Sequence, residues 1–150
     1  MTLSEAEAKL RKANALAIKV EGEMRDLSSL KDLGDDRVIE PVAFDSPEGR
    51  DIYRHSASHI MAHAVKELFP GAKFAIGPST EEGFYYDFDI ESPLTPEDLA
   101  RIEEKMAGII RGNTPFTRKA LKRSDAIALF RGLGEEYKVA LLEEIADDEV

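Results

Sequence analysis

The stretch between Asp45-Ser46-Pro47 and Pro70-Gly71 constrains this chain more than any other. Asp45 and Ser46 offer capping oxygens, Pro47 suits a first helical turn, and Glu48 is an acid favoured at the positive end of a helix. Pro70-Gly71 cannot continue such a helix. The reading is one long helix over about residues 48–69. It carries all three histidines of the chain, His55, His59 and His63. A spacing of four sets them on one ridge. With His55 at zero and about 100° of turn per residue, His59 lies near ~40° and His63 near ~80°. Tyr53, Ala57, Ile60, Met61, Ala64 and Leu68 fall between roughly 140° and 240°. The apolar stripe therefore points nearly opposite the histidines, which argues against histidines buried in a core. A solvated polar face is the plain alternative.

Two kinds of chemistry suit such a ridge. A histidine pair at i, i+4 on a helix can hold zinc. Here Ser56 follows His55, so the general-base glutamate of that arrangement is absent. His55 and His63 are about 12 Å apart along the axis, too far to share one ion readily. No metal site is expected within the chain. Proton transfer or orientation is the other option, because imidazole titrates near neutral pH. Two adjacent imidazoles can hold a water or a substrate hydroxyl between them, but spacing does not select the substrate.

The rest of the chain reads as a mixed α+β fold. Ser4 and Glu7 fit a capping box opening a short helix rich in Ala, Leu and Lys. ALAIKV, Glu21-Gly22 and EMRDL read as strand, two-residue turn, strand, with Gly22 supplying positive φ. A third strand is expected over residues 38–44, with Pro41 at an edge or bulge. After the long helix, KFAIGP and GFYYDFDI read as two strands joined by a turn over residues 79–82. Their antiparallel sheet, over residues 73–76 and 83–89, is expected to pack on the helix. Thr95-Pro96-Glu97-Asp98 starts a second helix ending near Gly112. FTRKALK is expected as a strand, and short helices are expected over residues 124–130 and 135–145.

Composition sets further bounds. The chain has 150 residues and a net charge of −10, a poor whole-surface match for nucleic acid. Charge is uneven, however. Residues 111–123 hold five basic groups and no acid, whereas residues 135–150 hold seven acids and one lysine. A solvated face explains both runs; contact with an RNA backbone is the sharper reading of the first. Cysteine is absent, so neither a disulfide framework nor a thiolate zinc site exists within the chain. No apolar run approaches the ~20 residues that span a bilayer, and the N-terminus lacks an apolar signal segment. A cytoplasmic protein without membrane contact is expected.

The segment YRHSASHIMAHAVKELFPGAKFAIGPSTEEGFYYDFD resembles the editing domain of threonyl-tRNA synthetases. The elements RHSxxH, HAVKELFP, AIGP and GFYYD agree in order and spacing, and a run this long is far more specific than a bare HxxxH. The resemblance continues through SPLTPEDLARIEEKM and GEEYKVALLEEI. Upstream, ALAIKVEGEMRDLS and AFDSPEGRDIYRHS resemble the end of that family's ubiquitin-like (TGS) domain and its link to the editing domain. The resemblance implies a partial TGS-like unit over residues 1–45 and the first part of an editing domain over 46–150.

It further implies hydrolysis of serine wrongly esterified to threonine tRNA. Matched position by position, the HxxxH pair is His55 and His59, the second tyrosine of GFYYD is Tyr86, and the lysine of EYKV is Lys138. His63 falls outside the family's pair and reads as a helper or a surface residue. Tyr86 shares a strand face with Phe84 and Phe88, so a core aromatic is its rival reading. A surface pair with Glu135 is the rival for Lys138. The expected partners are the acceptor end of tRNA(Thr) and the remainder of a synthetase chain, in a homodimeric parent. No cofactor is expected in this chain; ATP, magnesium and zinc would belong to the synthetic domain. The family's second half-site, in a CxxxH arrangement, is expected beyond Val150, so the domain reads as incomplete here. A non-catalytic tRNA-binding or interaction domain with the same fold is the alternative.

Overall fold

The computed structural model describes residues 2–34, 37–117 and 119–150. The chain forms two compact units, one of residues 1–56 with 79–83, the other of residues 57–78 with 84–150.

In the first unit, α1 spans Leu3–Lys12. Its capping box is Thr2 with Glu5, two residues ahead of the expected Ser4 and Glu7. Both pairs have the required spacing, and the earlier one starts the helix two residues sooner; Ala6 and Leu10 form its buried face. Strands β1 (Ala17–Val20) and β2 (Glu23–Arg25) form the expected hairpin. Glu21 (φ 54°) and Gly22 (φ 90°) are both left-handed, the two-residue turn whose twist matches a hairpin. Glycine alone was expected there; the glutamate accepts the strain as well. Strand β3 (Ile39–Val42) pairs antiparallel with β1, giving the order β2-β1-β3. Pro41 lies on this edge strand opposite Ile18, where its missing N–H costs no ladder bond. A short 3₁₀ helix, Leu27–Asp32, which the sequence reading did not include, is capped by Asp26. Leu10, Ile18, Val20, Leu30 and Ile39 close the core.

Helix α2 spans Pro47–Leu68, within a residue of expectation at each end. The Ser46 hydroxyl accepts from the Gly49 amide and donates to the Ala43 carbonyl, fastening its first turn. In the first unit, Lys19 of β1 meets Glu48 at 2.7 Å. The Arg54 guanidinium donates to the carbonyls of Thr80 and Glu81, so residues 79–83 fold against the start of α2.

The second unit holds β4 (Lys73–Phe74) and β5 (Phe88–Asp89), antiparallel, then α3 (Pro96–Arg111), α4 (Arg123–Gly132) and α5 (Glu136–Glu144). The sheet is narrower than expected. Backbone bonds from Ala75 to Asp87 and from Asp87 to Ile76 prolong the hairpin irregularly before Pro78, which has no N–H to offer. The hairpin does pack on α2, through Phe74, Phe88, Ala64, Val65 and Leu68. Residues 116–121 form no strand among those described; Arg118 lies outside them. Only the end of that segment pairs, Leu121 with Val150 and Lys122 with Glu149. Helix α3 has the expected Thr95 cap, first-turn proline and Gly112 end.

Candidate functional site

Helix α2 presents the histidines to solvent. His55, His59 and His63 are all exposed, while Ser58, Ala64 and Val65 are fully buried. The buried face is turned by roughly 60° from the expected stripe. Tyr53 is exposed and edge-on to Phe44, and Ile60 is only half-buried. Ser58 and Val65 take the interior places instead. Ser58 is tolerated there because its hydroxyl donates to the Gly77 carbonyl at 3.0 Å. The histidines still lie opposite the core.

His59 and His63, with Ile60, line one wall of a cavity of about 460 Å³. The end of α3 supplies Ile109 and Ile110, and residues 113–116 close it with Asn113 and Phe116. One wall is therefore imidazole and the other mostly aliphatic and aromatic, with an amide at its edge. His63 is engaged further along the helix. Its Nε2 lies 3.1 Å from Glu67, which also pairs with Lys105 of α3. The Lys105 hydrogen bond, followed by the Lys105 and His63 charges, holds the Glu67 carboxyl below the usual glutamate range. This places His63 in a polar relay between helices as well as at the cavity wall. His55 stands one turn earlier on the same helix.

Tyr86 is half-buried. Its ring stacks on Phe88 at 5.1 Å and meets Phe74 edge-on at 6.1 Å. Gly77 lies beneath it, where a β-carbon would come within 2.1 Å of the ring. The packing of a core aromatic is thus what the structure gives Tyr86, together with a shape that depends on the glycine of AIGP. Lys138 is half-buried in the first turn of α5. The surface pair considered for it does not form: the Glu135 carboxylate is buried and taken by Lys66 of α2. The next two residues are also held. Glu136 meets Lys73 at 3.0 Å, and the Tyr137 hydroxyl meets Asp89 at 3.3 Å.

The sequence reading missed Ser58, Lys66, Gly77 and Glu135. Gly77 was signalled by AIGP, a glycine-proline pair inside a strand-like run. Lys66, seven residues past His59, falls on the histidine face by the same helical arithmetic. Nothing local marks Glu135 as buried, since an acid at a helix start usually faces water. Among the described residues, no group of three or more His, Cys, Asp or Glu side chains gathers as a metal site. None of their helices is long and apolar enough to cross a membrane.

An exposed imidazole at an apolar cavity can orient a hydroxyl or water; neither Tyr86 nor Lys138 is among the residues that line this cavity. Such a group can serve proton transfer in acyl transfer or hydrolysis. No protein-family model matches the chain. It is 51% identical over 136 residues to the threonine–tRNA ligase of Pelobacter propionicus, covering 91% of this chain and 21% of that protein. The threonine–tRNA ligase of Symbiobacterium thermophilum is 47% identical over the whole chain, and that of Nitratidesulfovibrio vulgaris 50% over 137 residues. The chain is a homologue of the N-terminal region of bacterial threonyl-tRNA synthetases, and it spans about a fifth of the length of these relatives.

Proposed function

We propose that this chain is part of a threonine–tRNA ligase and forms the histidine-bearing side of a site that hydrolyses serine mischarged onto tRNA(Thr). The observation that carries the reading is the exposure of His59 at a cavity, within a motif shared in order and spacing with the family's editing domain. In this reading residues 46–150 belong to an editing domain and residues 1–45 to the end of a TGS-like unit. The tRNA acceptor end and the rest of the ligase chain are the partners.

The chemistry follows from the substrate. Threonine and serine differ by one methyl group, which binding alone discriminates by only ~1–3 kcal/mol, so a second, hydrolytic sieve is the physical remedy. His55 and His59 hold the terminal ribose and the attacking water on the polar side of α2. Lys138 steadies the negative charge that develops on the ester carbonyl oxygen as water adds. Tyr86, held over Gly77 and stacked on Phe88, is the aromatic that the family's motif assigns to the site.

Titrating the chain with a seryl-adenosine analogue whose ester is replaced by an uncleavable amide tests this. Amide resonances of His59, Ile60 and Asn113 are expected to shift together on binding. Saturable shifts confined to another face of the protein would contradict the reading.

A further inference from the structure

We infer that the Lys66–Glu135 ion pair is a positioning device that sets Lys138 against the histidine face, so that editing depends on two residues distant from the substrate; the inference rests on the editing reading above. Glu135 is the one charged side chain buried among the described residues, at 7% exposure. It stands at the N-cap of α5, where a carboxylate ordinarily accepts from its own helix's open amides. It makes no such cap bond. The carboxylate turns instead to Lys66, whose ammonium also sits 5.4 Å above the Phe74 ring.

Only the carboxylate of this pair is buried, the Lys66 side chain being about half exposed; desolvating a carboxylate offsets much of the attraction, and such a contact is better suited to fixing one geometry than to adding stability. The geometry fixed here is specific. Lys66 is two helical turns past His59 and on the same face of α2. Glu135 therefore ties the start of α5 to the helix face that bears the histidines. Glu136 and Tyr137 then fasten to β4 and β5, and the next residue is Lys138. Three consecutive anchors on three elements leave the first turn of α5 little freedom. A lysine in that turn is opposed by the helix dipole, so its placement is not one the helix favours by itself.

The test uses a full-length ligase carrying this segment, with deacylation of Ser-tRNA(Thr) and threonylation measured on each variant. Glu135→Gln and Lys66→Met should each lower the deacylation kcat by about ten- to a hundred-fold, the usual penalty for a small misplacement of a reacting group. Lys66→Arg, which keeps the charge, should restore most of it, and threonylation should hold. The decisive readout is the Lys138→Ala background, in which Glu135→Gln should lower deacylation no further. A further loss there would overturn the proposal, because the pair would then act otherwise than through Lys138. So would full deacylation by Glu135→Gln, even where Lys138→Ala is impaired. If Lys138→Ala itself deacylates normally, the editing role of Lys138 falls, and the positioning role with it. Urea unfolding of each variant identifies any loss that comes from unfolding, and a folded Lys66→Met with wild-type deacylation would equally refute the clasp.

Discussion

Gly77 shows how a residue without a side chain shapes the candidate site. Its carbonyl accepts from buried Ser58 on α2, and its open face admits the Tyr86 ring. A methyl group there would meet two ring carbons at 2.1 and 2.4 Å. Because Tyr86 is already stacked on Phe88, its ring cannot slide away freely. Gly77→Ala should therefore destabilise the chain by roughly 1–3 kcal/mol, the usual cost of overpacking. Urea unfolding measures this, and a change within about 0.5 kcal/mol, as for an ordinary surface position, would mean that the hairpin yields without cost. The histidine positions were legible in the sequence because a four-residue spacing on a well-punctuated helix fixes a face. Glu135 was not, because its burial depends on Lys66, sixty-nine residues away, rather than on its neighbours.

At the scale of elements, punctuation decided what could be read. Helices α2 and α3 lie where caps, prolines and glycines put them, since those residues act within a turn of themselves. Strands depend on partners. FTRKALK was expected as a strand, yet among its described residues the pairing is at its end, with the chain's last residues. The residue facing inward along α2 was also misjudged by part of a turn, because hydrophobicity cannot foresee that Ser58 finds a carbonyl in the interior.

The caps themselves are testable. On α3, Thr95 and Asp98 exchange side-chain and backbone bonds, and Thr95→Ala should cost about 1 kcal/mol. Acid should reduce that cost. The Thr95 backbone amide, then its hydroxyl, hold the Asp98 carboxyl below the ordinary aspartate value of 3.8. A depressed acid contributes stability above its unfolded pKa and loses it as pH falls through the folded value. The difference between wild type and Thr95→Ala should therefore be full at neutral pH and shrink below about pH 3.8. Chemical denaturation at neutral and acidic pH gives the comparison, and a difference that grows on acidification would show that the box is not what Thr95 supports.

For the whole molecule, the proposed function assigns the exposed ridge of α2 to proofreading rather than to packing or synthesis. His59 projects away from Ala64 and Val65, so its truncation should leave stability within about 0.5 kcal/mol. Losing a positioned proton carrier, by contrast, costs about 10²–10⁴ in the step it serves. The most direct measurement follows Ser-tRNA(Thr) clearance and threonylation on one His59→Ala variant of a full-length ligase carrying this segment. Clearance is expected to collapse while threonylation stays near wild type. Equal loss of both, or no loss of either, would contradict it.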